Sequence, residues 1–474
     1  MPDDKNQEID PITSLIAELN DPEAEEEEFR NDFFQGLSGR RKKAAFTLTL
    51  VWGVTIGLHL FSWSIFLVAM LGIFITIQAL RLMLANPESD NFTPFSEIEE
   101  LPFVSLLVSA KNEEQVIGKL VKMLLNIKYP HDRYELWIVD DNSNDRTGKI
   151  LDQLALEHPQ LNVLHRDSLA KGGKSGALNQ AYALSKGDII AVFDADAIIP
   201  ENLLQEVVPL FEVEKMGAVQ VRKAVSNASE NFWTLGQKVE MALDSYFQRQ
   251  RINTGGIGEL RGNGQFVRRS ALDSCGGWNE ETITDDLDLT IRLHLDGWDI
   301  EILEHPAVEE EGVKSAIALW HQRSRWAEGG YQRYFDYWRF ILSNRLSWSK
   351  KFDLIFFFMV QYIFPTAAIP DLLMVVTRHR LPLVAPLSSL TLILAFWGMF
   401  TGLKRSQPDK PFNLKNITIG IAQSFLGMIY MVHWFIVMPI TTGRISFRQK
   451  RLKWVKTVHE GSAEDNLELG LTKS

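Results

Sequence analysis

Cysteine is all but missing: Cys275 is the only one in 474 residues. That excludes a disulfide framework or a thiolate metal site within the chain, and a reducing, cytoplasmic setting is expected for any soluble part. Charge is missing elsewhere. From Ala44 to Leu80 there is no Asp, Glu, Lys or Arg, and at about 1.5 Å rise per residue such a run suffices for two crossings of a roughly 30 Å hydrocarbon core. A basic surplus is lacking too. Asp plus Glu number 60 against 49 Lys plus Arg, a formal charge of −11, so nucleic acid is not an expected partner. The acidic excess is local: Asp or Glu fills 12 of the first 32 positions, including Glu25 to Glu28, and a block of this kind stays solvated.

What is present divides the chain into an acidic disordered tail (1–39), a transmembrane helical hairpin (40–84), a soluble α/β domain (86–345), C-terminal membrane helices (351–441) and a basic, then polar, tail (442–474). Arg40-Arg41-Lys42-Lys43 precedes the hairpin and Arg81 closes it, which places both its ends, and the soluble domain, in the cytoplasm. Three apolar stretches follow that domain, at about 353–376, 382–403 and 414–440. Pro365, Pro370 and Asp371 interrupt the first, so an interfacial or re-entrant placement is read for it. Four spans in total keep Arg444, Arg448, Lys450, Arg451, Lys453 and Lys456 on the cytoplasmic side.

In the soluble domain, short apolar runs alternate with helical patterns. Phe103 to Val108, Leu136 to Val139, Leu161 to Leu164 and Asp188 to Phe193 read as strands, with helices after the first two through Val116 to Leu124 and Ile150 to Leu156. The alternation implies a mainly parallel sheet with helices on both faces, binding its ligand at the carboxyl ends of the strands. Asp140-Asp141 and Asp194-Ala195-Asp196 fall at that edge. In an extended segment residues i and i+2 point the same way, so Asp194 and Asp196 can face one hard cation, or a ribose and a cation together. Lys171 to Asn179 is rich in glycine and lysine, but Ser168 stands where a Walker A loop needs glycine, so it is no P-loop; Lys174 can still steady a diphosphate at a helix start. Thr284-Asp285-Asp286 reads as a helix start with Thr284 as its cap. The helix dipole lowers a carboxylate's pKa there, so a base at this point needs burial or a neighbouring anion to raise it. Arg325 can grip phosphate in a forked geometry, and Trp326 can stack on a sugar. Each group alone also fits a capping, turn or membrane-interface role.

In order and spacing the set resembles the inverting nucleotide-sugar glycosyltransferases of family 2, which have the GT-A fold and a D, D, D, Q-x-x-R-W signature. The resemblance covers about residues 100–330 and implies a Rossmann-like nucleotide-sugar domain flanked by transmembrane helices. It implies that Asp140 and Asp141 contact the nucleotide. Lys174 with Gly176 to Asn179 lies near the diphosphate, and Asp194 and Asp196 hold Mg²⁺ or Mn²⁺. Asp286 is the catalytic base, while Gln322, Arg325 and Trp326, with Asp285, line the acceptor side. Asp285 replaces the family's common Glu. Where cellulose synthases of the family carry Phe-Phe-Cys-Gly, this chain has Leu260 to Phe266, which weakens a polymer reading. The whole layout is similar to that of the cyanobacterial-type β-monoglucosyldiacylglycerol synthases. Glucose transfer from UDP-glucose to 1,2-diacylglycerol, at a membrane, is therefore the expected activity, with a processive β-glycan synthase as the alternative and a non-catalytic scaffold behind it.

Overall fold

In a computed structural model the residues described are 39–61, 63–85, 95–98, 100–379, 382–383 and 385–447. The acidic tail read before Gly39 and the chain after Phe447 lie outside them.

Val104–Ala110 (β1), Tyr134–Asp141 (β2), Leu161–Arg166 (β3) and Ile189–Phe193 (β4) form the parallel half of one sheet. Met216–Val225 (β5), Gln265–Arg268 (β6) and Asp299–Glu310 (β7) complete it in the order β3-β2-β1-β4-β6-β5-β7. The expected strand ends shift by a few residues. One feature departs from the sequence reading: β6 runs antiparallel between β4 and β5.

Side chains alternate across the sheet as a pleat requires. Val104, Leu106 and Val108 enter one core with Leu120 and Leu124 of Ile117–Leu125 (α1). Leu107, Val192 and Val267 enter a second core with Ala177, Leu178 and Ala181 of Gly173–Leu184 (α2) and Leu289 and Leu293 of Asp285–Leu295 (α3). Burial on both faces explains why these strands read as continuous apolar runs. The second layer also puts the N-termini of α2 and α3 over the carboxyl edge of the parallel strands.

Four helices among the described residues are long and apolar enough to cross a membrane: Arg40–Leu60 (α4), Ser64–Leu84 (α5), Trp348–Arg378 (α6) and Leu414–Phe447 (α7). The first pair is the expected hairpin. The expected interruption of the 353–376 stretch is absent. A π-helical turn at Met359–Ile363 places Pro365 in the first turn of the continuation, where its missing N–H is tolerated. Asp371 lies buried 2.7 Å from Nε2 of His59 on α4, so the carboxylate within this apolar helix is partnered. The 382–403 stretch forms Ala385–Arg405 (α8), whose Met399 and Leu403 pack on Val239, Ala242 and Leu243 of Phe232–Asn253 (α9).

Polar contacts tie these helices to the sheet domain. Arg40 donates to Asp336 at 2.9 Å, on the helix Ala316–Leu342 (α10) that carries Gln322 to Trp326. Arg251 of α9 pairs with Asp353 of α6 at 2.9 Å and with fully buried Glu259 at 3.1 Å.

Candidate active site

Strand β2 ends on Asp140 and Asp141, and the next strand in register brings His165 and Arg166 beside them. Asp140 accepts from the Ser143 backbone N–H at 3.1 Å, and its other oxygen lies 3.1 Å from His165 Nδ1. Asp141 accepts from Arg166 at 2.8 Å. Buried Arg166 also donates to the carbonyls of Gly173, at 2.8 Å, and Lys171, pinning the loop that delivers Lys174. Sequence reasoning missed Arg166 and His165; strand register was the signal that could have found them.

Beyond β4, Ala195 and Ala197 are buried in the core while Asp194 and Asp196 are partly exposed, so the two carboxylates lie on the side away from that core. Lys174, in the first turn of α2, pairs with Asp194. Asp194 N–H donates to Asn263 Oδ1 at 3.2 Å, and Asp196 accepts from Glu311 N–H at 3.1 Å. Burial works against the Lys174 charge, but Asp194, Asp285 and Asp286 outweigh it and raise its pKa. These carboxylates and Lys174 therefore occupy one electrostatic cluster.

Asp285 and Asp286 open α3. Thr284 takes the N-cap position without a side-chain capping bond; its side chain packs instead against α10 at Gly329, where even a methyl group would collide with it. Asp286 Oδ1 accepts from Leu287 N–H at 2.9 Å. Burial first, and then the Asp285 carboxylate, push the Asp286 pKa up to about 6, against the pull of Leu287 N–H, Lys174 and Arg261. Burial and a neighbouring anion thus overcome the helix start. One Asp285 oxygen is buried with no hydrogen-bond partner among the described residues.

Arg325 on α10 faces the same acids. Burial lowers its pKa, with Asp194, Asp286 and Asp285 opposing the change, yet it has no ion-pair partner among the described residues. Its fork is available to a ligand anion. Trp326 lies between cations, with Arg323 at 4.0 Å and Lys223 at 5.7 Å from its ring centre. Gln322 accepts from Arg323 at 2.6 Å rather than joining the acids. Arg323, fully buried, pairs with Glu240 of α9 and donates to Tyr430 at 3.1 Å. Trp434 and Tyr430 of α7 both donate to Glu240, at 2.8 and 3.0 Å. Sequence reasoning missed Glu240, which ties the Gln322 to Trp326 segment to the last of the helices long and apolar enough to cross a membrane.

The donor set fits a hard divalent cation. Asp194 and Asp196 offer carboxylate oxygens on one exposed face, and no group of three His, Cys, Asp or Glu among the described residues encloses a metal. A cation here would take its remaining ligands from phosphate and water, as Mg²⁺ commonly does.

Residues 102–329 match the family described as Glycosyltransferase like family 2. A β-monoglucosyldiacylglycerol synthase of Synechocystis sp. is 57% identical over 471 residues, 98% of each chain. One of Nostoc sp. is 56% identical over 463 residues, 97% of this chain and 98% of that one. A mannosyltransferase from Pyrobaculum calidifontis, solved with GDP-mannose and Mn²⁺, superposes with a TM-score of 0.51 at 20% identity, covering 80% of this chain and 98% of that one, and supports the fold. This chain belongs to the family 2 glycosyltransferases.

Proposed function

We propose that this protein transfers glucose from UDP-glucose to the free hydroxyl of 1,2-diacylglycerol with inversion, giving β-monoglucosyldiacylglycerol at the cytoplasmic face of a membrane that it crosses several times. The observation that carries the acceptor is that the likeness to the lipid-glucosylating relatives runs through the membrane helices, over 97–98% of the chain, and not through the catalytic domain alone.

The residues divide the work. Asp140 and Asp141, oriented by Ser143 N–H, His165 and Arg166, receive the nucleoside. Lys174 and Arg325 meet the diphosphate and hold the negative charge that grows on it as the bond to glucose breaks. Asp196 and Asp194 would hold Mg²⁺, which when bound supplies further charge to that leaving group. The acceptor hydroxyl attacks the anomeric carbon from the side opposite UDP and gives its proton to Asp286. A pKa near 6 leaves that carboxylate ionised at neutral pH and more basic than an ordinary aspartate. Trp326 covers the sugar on the acceptor side.

Purified protein incubated with Mg²⁺, a panel of radiolabelled nucleotide sugars and diacylglycerol micelles tests the reading on a thin-layer plate. A chloroform-soluble product with UDP-glucose is expected. No labelled glycolipid with any donor would overturn the reading, and a growing, glycosidase-sensitive polymer would favour a glycan synthase.

A further inference from the structure

The geometry points to Gly262 as the residue that decides which acceptor hydroxyls reach the base, an inference that rests on the lipid-transfer reading above. Of the two Asp286 oxygens, Oδ1 is engaged by Leu287 N–H, while Oδ2 has no hydrogen-bond partner among the described residues. A proton arriving from the acceptor therefore has Oδ2 as its destination. A Cβ built on Gly262 would lie 3.5 Å from that Oδ2 and would meet no other heavy atom within 4 Å. The absent side chain thus leaves open space directly before the reactive oxygen. A general base needs its acceptor oxygen at about 2.6–3.2 Å, so a methyl group there would stand beside the incoming hydroxyl.

The loop around Gly262 is held too firmly to move aside. Gln220 accepts from Arg261 N–H at 2.6 Å and donates to the Asn263 carbonyl at 2.9 Å. The Arg261 guanidinium is held by Asp244 at 2.8 Å and by Glu259, and Asn263 binds the backbone of Asp194. One short segment therefore touches the donor side through Asn263 and the base through Gly262. The primary hydroxyl of a 1,2-diacylglycerol carries a single carbon substituent and so crowds the space beside Gly262 least. A secondary hydroxyl, flanked on both sides, does not fit as well.

Gly262→Ala separates acceptor access from the rest of the site. Water needs no lane beside a methyl group, so slow hydrolysis of UDP-glucose and UDP binding should stay within about threefold of wild type. Transfer to 1,2-diacylglycerol should fall by about a hundredfold, the scale expected for a misplaced reactant. Gly262 has φ +83°, and Gly276, with φ +76° and nothing within 4 Å of its Cβ position, is the control for backbone strain: Gly276→Ala should transfer normally. Unchanged lipid transfer in Gly262→Ala, or equal loss of hydrolysis and transfer, overturns the inference. If that variant does not fold, wild-type protein given 1,2- and 1,3-diacylglycerol decides: at least about a tenfold preference for the 1,2 isomer is expected, and equal rates overturn it. Wild-type protein that glucosylates neither isomer would instead count against the lipid-transfer reading itself.

Discussion

Asp286→Asn removes a negative charge that the fold holds unfavourably. Burial and Asp285 raise this carboxyl from its ordinary 3.8 to about 6, and at 1.36 kcal/mol per unit that is a difference of about 3 kcal/mol between its two protonation states. The sign follows from linkage. An acid whose pKa is raised on folding favours the folded state only while protonated. Its penalty is absent below pH 3.8, grows as pH rises towards 6 and is constant above that. Asparagine, uncharged throughout, should therefore stabilise the protein by up to about 3 kcal/mol at pH 8 and by about half as much at pH 5. In detergent this is a rise in Tm of up to about 3 °C at pH 8. Transfer should fall by about 10²- to 10⁴-fold with the base gone, while UDP binding persists. A Tm at pH 8 equal to or below wild type, or a gain as large at pH 5 as at pH 8, would refute the electrostatic reasoning. Full activity would refute the base.

Asp285→Asn takes away the anion beside Asp286 and should move the acid limb of the kcat/KM profile to lower pH by roughly half a unit to one unit; a limb that stays put would exclude the coupling. Glu240→Ala leaves the Arg323 charge buried without its carboxylate and should cost about 3–5 kcal/mol in denaturant unfolding, with Glu240→Gln losing less. Arg166→Ala releases both Asp141 and the loop before Lys174, and calorimetry should show UDP binding weakened about tenfold. Chelation with EDTA should stop transfer, and added Mg²⁺ should restore it.

How far the site was legible depended on where each residue stands relative to its own strand. Asp140, Asp141, Asp194 and Asp196 close β-branched, apolar runs, so their place at the sheet edge could be read from alternation alone. Asp285 and Asp286 were legible as a helix start, yet the opposing effects of dipole and burial on the basicity of Asp286 needed the packed structure to settle. Arg166 lies 25 residues from Asp141 and Glu240 lies 83 residues from Arg323. Each is isolated in sequence and acquires its partner through strand register or helix packing, which no local pattern carries. The antiparallel β6 was likewise hidden, because a four-residue strand in which only Phe266 and Val267 are apolar does not reveal its direction. Pro365 and Pro370 signalled a broken helix and misled: a π-helical turn puts Pro365 in the first turn of the continuation, and Pro370 lies inside that helix without ending it.

The central claim is one displacement at the anomeric carbon with a lipid hydroxyl as nucleophile. Its most direct measurement is the structure of the product from wild-type protein, UDP-glucose and 1,2-diacylglycerol: mass spectrometry for the number of sugars and NMR for the anomeric configuration. A single β-linked glucose on diacylglycerol is expected. An α linkage would contradict inversion with Asp286 as base, and a chain of sugars would contradict the lipid as sole acceptor.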